Sequence, residues 1–221
     1  MQVAIDGPAG SGKSTVSKLL AKSLKFIYLD TGAMYRASAW LKQQYKLNFN
    51  GLCALLSLTD FVFGHNGQTL TLKYDYGKPT EVDVTKLIRT PDVTAIVSGV
   101  ASNVDVRTIL TTKQQEIAGK NDIIMDGRDI GTVVLPNADV KIFLTASAEV
   151  RARRRMSEWR DVGQEVHYED VLADIIVRDN KDASRSTAPL KKADDAYEID
   201  TSELTIFEVS ERIEELVRAR I

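Results

Sequence analysis

The stretch Gly7-Pro8-Ala9-Gly10-Ser11-Gly12-Lys13-Ser14, preceded by the apolar run Val3-Ala4-Ile5, decides the fold. It carries the pattern G-x-x-x-x-G-K-[ST] between a strand and a helix, which is the signature of a phosphate-binding loop. Glycines let the backbone turn its N–H groups inward around a phosphate, and the helix that follows offers its positive end to the same anion. Lys13 is placed to reach the β- and γ-phosphates of a nucleotide, Ser14 to offer its hydroxyl to Mg²⁺, and Thr15 to bind a phosphate oxygen. Val16, Leu19, Leu20 and Leu24 then recur at i, i+3, i+4 and i+8, which predicts a helix that buries this stripe. The reading is of a nucleotide-binding protein.

Outward from the loop, further short apolar runs end in polar residues. Phe26-Ile27-Tyr28-Leu29 ends at Asp30, Ile123-Ile124-Met125 at Asp126, Val140 to Leu144 at Thr145, and Ala196 to Ile199 at Asp200. Near-continuous apolar strands alternating with helices predict a parallel sheet covered on both faces, which binds ligands beyond the carboxyl ends of its strands. Thr205-x-x-Glu208 is a capping box, and Ile206, Val209, Ile213, Leu216 and Val217 form the stripe of a closing helix. One segment breaks the rhythm. Phe61 to Phe63, Thr69 to Tyr76 and Thr80 to Val84 read as three antiparallel strands, with turns at Asn66-Gly67 and around Gly77-Lys78. Val93, Ile96, Val97, Val100 and Val104 predict a helix, and a second is expected from about Asp105 to Ala118. The insertion reads as a small lobe on one domain.

Composition bounds the function. A chain of 221 residues, 43% of them hydrophobic, can bury one substantial α/β core. A formal charge of −2 gives no overall drive towards nucleic acid or membrane, so a polyanion must be met by a local cluster. The single cysteine, Cys53, excludes an intramolecular disulfide and fits a reducing compartment. With His65 and His167 as its only histidines, the chain cannot build a Cys/His zinc site of the usual kind. No stretch reaches 18 consecutive apolar residues, and the motif lies too near the N-terminus for a signal peptide. A soluble, cytoplasmic protein is expected. Arg151, Arg153, Arg154, Arg155 and Arg160 crowd ten residues without matching acidic neighbours, and Arg178 and Arg185 follow. Guanidinium forks bind phosphate bidentately, so the cluster is expected to close over the nucleotide. Nucleic acid is the rival partner, but of the stacking aromatics it would need only Trp159 is close.

Three further stretches complete a series with the phosphate loop: Asp30-Thr31-Gly32-Ala33-Met34-Tyr35-Arg36, Asp126-Gly127-Arg128-Asp129-Ile130-Gly131-Thr132, and Arg178-x-x-x-Asp182-x-x-Arg185. The series resembles the bacterial cytidylate kinases of the nucleoside monophosphate kinase family, and the resemblance covers essentially the whole chain. It implies an α/β kinase core with a five-stranded parallel sheet, a three-stranded antiparallel insertion that binds the monophosphate, and an arginine-rich lid. The implied boundaries within one domain are about 1–32, 99–150 and 171–221 for the core, 33–98 for the insertion and 151–170 for the lid. The implied partners are ATP and CMP or dCMP with Mg²⁺, acting on a monomer, with neither nucleic acid nor membrane involved. Carried over by position, acceptor-phosphate contacts fall on Arg36, Arg128 and Arg185, base contacts on Ser98, Arg107 and Asp129, and sugar contacts on Arg178 and Asp182. Thr31 and Tyr35 belong to the same acceptor set. Asp126 would hold a Mg²⁺-bound water beside Ser14, while Lys13, Arg128 and Arg155 would act on the transferring group.

The chemistry agrees with this without the family. A phosphate monoester with a second pKa of about 6 is mostly dianionic at neutral pH, so an attacking phosphate needs no general base. The reaction needs charge neutralisation, in-line placement of two anions and exclusion of water. A GTPase is opposed by the lack of any D-x-x-G and by Asn180-Lys181-Asp182-Ala183, which misses the guanine-reading pattern. A kinase for another monophosphate or small metabolite shares the loop and stands as the alternative.

Overall fold

The computed structural model describes residues 1–64, 67–161, 163 and 165–220. Five parallel strands form one sheet in the order β2-β6-β1-β7-β8, and three antiparallel strands form a second in the order β3-β4-β5. The members of the first are β1 (Gln2–Asp6), β2 (Ile27–Asp30), β6 (Ile123–Gly127), β7 (Val140–Thr145) and β8 (Tyr197–Asp200). Those of the second are β3 (Asp60–Gly64), β4 (Thr69–Asp75) and β5 (Pro79–Asp83). The chain divides into two compact units, residues 1–24 with 124–221, and residues 25–123.

In the first unit β1 runs beside β7 with Val3 opposite Val140 and Asp6 opposite Phe143, and β7 pairs onward with β8. Val3, Ala4, Ile5, Ile124 and Met125 are fully buried, as strands covered on both faces require. Helix α1 (Lys13–Leu24) buries Val16, Ser17, Leu20 and Ala21. Leu19, expected in that stripe, is 36% exposed, because the buried face centres on the line through 13, 16, 17 and 20 rather than on the leucines. Helix α8 (Ile206–Arg218) opens with the expected capping box, in which Thr205 and Glu208 satisfy each other's backbone N–H groups. Val209, Ile213 and Val217 are buried, whereas Ile206, at the first turn, is 45% exposed. Between β7 and β8, helices α6 (Ala148–Asp161) and α7 (Tyr168–Ala183) share a small apolar centre of Ala152, Val171 and Ile175.

The second unit holds β2, the three-stranded sheet and the helices α2 (Thr31–Gln44), α3 (Phe49–Ser57), α4 (Pro91–Ser102) and α5 (Val104–Ala118). Along β4 the inward residues Leu70, Leu72 and Tyr74 are buried and the alternate ones are not, the period of a sheet with one covered face. The strands fall within a residue or two of their expected limits; Asn66 of the expected first turn lies outside the described residues. Val104, expected to end one helix, begins the next and is 53% exposed. The cause is Asn103, whose side chain accepts from the Val106 N–H as an N-cap, so α5 leaves α4 at 91°. Ile96, on the outer side of α4, is exposed too. Among the described residues no single helix is long and apolar enough to cross a membrane.

Candidate active site

The loop after β1 needs glycine for reasons that the backbone makes explicit. At Gly7, with φ +146°, a Cβ would lie 2.0 Å from the Leu144 carbonyl oxygen, and Gly12 adopts φ +89°. Side chains elsewhere in the unit hold the loop's carbonyls from behind. Arg151 donates to Ala9 O at 3.2 Å while its guanidinium grips Asp179 at 3.1 and 2.6 Å. Arg154 donates to Gly10 O and to Thr201 Oγ1, and Thr201 in turn donates to Ser11 O. With these carbonyls turned outward, the loop's N–H groups are left to face an anion.

Lys13, the first residue of α1, is almost wholly buried, and its Nζ donates to Pro8 O at 2.6 Å and to Ser11 Oγ at 3.3 Å. Burial, then the Arg128 charge, pull its pKa well below the usual lysine range, against the pull of Asp126 and Asp6. A polyphosphate at this amine would favour its charged form. Ser14 Oγ donates to Asp126 Oδ2 at 2.7 Å, so a hydroxyl and a carboxylate oxygen from α1 and the end of β6 already meet. Two hard oxygen donors beside a phosphate loop suit Mg²⁺, which takes few protein ligands and completes its shell with phosphate and water. Thr15 lies exposed on the same turn.

Arg128 follows β6 and donates from Nε to Asp182 Oδ2 at 3.0 Å, and Arg185 donates to the other oxygen of Asp182. Asp182 sits at the end of α7 and is only 2% exposed. One buried carboxylate therefore holds two of the expected phosphate-binding arginines, and the Nε of Arg185 is buried without a protein partner among the described residues. Arg178 lies one turn earlier on α7, close enough for its charge to act on Lys13. Asp129 is buried next to Arg128. Arg155 engages Glu158 at 3.7 Å and stacks over Trp159 on its own helix. Within the arginine cluster, Arg151 and Arg154 thus have protein partners distant in the chain, and Arg155 has its own on the same helix.

The second unit assembles the remaining expected residues. Asp30 caps α2 by accepting from the Ala33 N–H at 2.9 Å, which fixes the first turn that carries Thr31 and Tyr35. Arg36, one turn on, donates to Thr94 Oγ1 of α4 at 2.9 Å. Ser98 is half-buried one turn further along α4. Arg107 of α5 is buried, donates to Ala101 O at 3.1 Å and lies 5.5 Å from the centre of the Tyr35 ring. Arg36 thus joins α2 to α4 through Thr94, and Arg107 of α5 faces the Tyr35 ring of α2. Thr94 and Thr201 are absent from the expected set and Arg151 is expected only as a member of the arginine cluster, since each works through partners distant in the chain.

Comparison with known proteins gives the family. The family model described as cytidylate kinase matches residues 3–219. The cytidylate kinase of Carboxydothermus hydrogenoformans is 49% identical over 222 residues, spanning 98% of this chain and 97% of that protein. That of Clostridium tetani is 46% identical, spanning 99% and 94%. Among solved structures, shikimate kinase from Bacteroides thetaiotaomicron aligns with a TM-score of 0.51 at 16% identity, covering 99% of this chain and 98% of that one. At such identity it speaks for the fold alone.

Proposed function

Since the chain belongs to the cytidylate kinase family, we propose that it transfers the γ-phosphoryl group of ATP to CMP or dCMP, releasing ADP and CDP or dCDP. An oxygen of the acceptor phosphate forms the new P–O bond while the bond from the γ-phosphorus to the β–γ bridging oxygen breaks. The loop from Gly7 to Thr15 cradles the donor phosphates, and Lys13 leaves the Pro8 carbonyl to follow charge onto the transferring group. Ser14 and the carboxylate of Asp126 would hold Mg²⁺, which supplies neutralisation of donor phosphate charge. Arg128 and Arg185 take the acceptor phosphate in the first unit, with Arg178 and Asp182 towards the sugar and Arg155 towards the transferring group. Asp129 accepts from the exocyclic amine of cytosine. In the second unit Arg36 serves the phosphate, and Thr31, Tyr35, Ser98 and Arg107 the nucleoside. A monomer acting in the cytoplasm completes the reading.

The observation that carries this is the shared carboxylate of Asp182, which holds two arginines of the phosphate loop's own unit with fork donors to spare. No general base is required, because the acceptor is already dianionic above a pKa of about 6. The test is ADP release with each of CMP, UMP, AMP and GMP in turn. Stimulation by CMP at least about tenfold above the others is expected, and equal stimulation by all four would refute the assignment.

A further inference from the structure

Asp6 closes β1 immediately before Gly7. Only 4% exposed, it spends both carboxylate oxygens on main-chain donors more than a hundred residues away. The Ile130 N–H donates to Oδ1 at 2.8 Å and the Gly131 N–H to Oδ2 at 2.7 Å. These two amides open the π-helical turn Ile130–Val134, whose preceding residues are Arg128 and Asp129. Lys141 backs the turn: a Cβ on Gly131 would lie 3.2 Å from Lys141 Cδ and 3.5 Å from Asp6 Oδ2. The Lys141 amine is itself tied to Pro136 O and Asp195. The turn is therefore clamped between a carboxylate at the root of the phosphate loop and a lysine stem.

A buried carboxylate is a costly way to hold a turn. Burial pushes the Asp6 carboxyl up to about 6, with the Gly131 and Ile130 amides and the Lys13 charge pulling down and Asp129 pushing up. What the arrangement provides is registry, because the carboxylate is continuous in backbone with Gly7 on one side and bonded to the Arg128–Asp129 segment on the other. We propose that Asp6 is a positioning residue that registers the segment carrying Arg128 and Asp129 against the phosphate-binding loop. The proposal rests on the reading of these residues as acceptor contacts, and misplacement by a fraction of an ångström would be felt at in-line transfer.

The test compares Asp6→Asn and Gly131→Ala with the unaltered enzyme in steady-state assays with ATP and CMP, alongside thermal melts. Asparagine keeps the shape and one acceptor oxygen but sets its NH₂ against the second N–H. Alanine leaves Asp6 intact and displaces the turn from the other side, so Gly131→Ala carries the test if Asp6→Asn does not fold. Both should keep the KM for ATP within about threefold, raise the KM for CMP at least about fivefold and lower kcat at least about tenfold. Asp6→Glu, which retains the charge at the wrong length, should not restore them. Unchanged kinetics in both variants, or equal rises in the two KM values, overturn the proposal. An unaltered enzyme that makes no CDP refutes the parent reading and this inference with it, whereas an active enzyme with indifferent variants refutes this inference alone.

Discussion

In the proposed reaction transfer depends most on Lys13, whose amine is folded back onto the Pro8 carbonyl at 2.6 Å. Lys13→Ala should lower turnover by about 10²–10³-fold or more while CMP affinity, read by calorimetry, changes little. An equal loss of CMP affinity would make the lysine a structural residue. Asp6 offers a stability test independent of catalysis. Its folded pKa of about 6 lies above the ordinary aspartate value of 3.8, so between those values the folded state binds more protons than the unfolded one. Stability contributed at this site is therefore greatest at the acid end, is lost as pH rises from about 4 to about 6, and is constant above. Lys13 and Asp129 face the group, and the Lys141 amine is turned away to Asp195. In denaturant titrations the stability of the wild type minus that of Asp6→Asn should fall by a few kcal/mol, roughly 2–3, across this window. A flat or rising difference would contradict the assignment. The sequence made Lys13, Ser14, Asp126 and Arg128 legible because their chemistry is carried by short motifs. Asp6 was invisible in it, since its partners are backbone amides that any residue could supply, at positions 130 and 131.

The α6–α7 pair shows how elements serve the loop. Arg151 of α6 holds Asp179 of α7 and the Ala9 carbonyl together, and Gly10 leaves room for it, since a Cβ there would lie 3.1 Å from Arg151 Cβ. Arg151→Ala should free the Ala9 carbonyl to swing inward, raise the KM for ATP about tenfold, and cost roughly 2–4 kcal/mol of stability. Kinetics and melts on the same preparation check both, and an unaltered ATP KM would detach the helix pair from the loop's function. Helix and strand existence followed from periodicity, as at β4 and the Thr205–Glu208 capping box. Where periodicity overran the break, a side-chain cap decided: the valine spacing alone carries the first helix to Val104, whereas Asn103 caps the second and starts it there. The pairing of Arg151 with Asp179 spans 28 residues and two helices, a distance at which charge counting along the chain has nothing to say.

For the molecule as a whole, a formal charge of −2 means that phosphate is attracted by placement rather than by a basic surface. Each compact unit holds its own organised cations, Lys13, Arg128 and Arg185 in one and Arg36 and Arg107 in the other. Both units lie within the cytidylate kinase match, which spans residues 3–219. The most direct measurement is phosphorus NMR of the enzyme with ATP, CMP and Mg²⁺, following every phosphate at once. The account expects CDP and ADP to appear in equal amounts with no inorganic phosphate released. ADP accompanied by inorganic phosphate and no CDP would mean that water is the acceptor, and would contradict it.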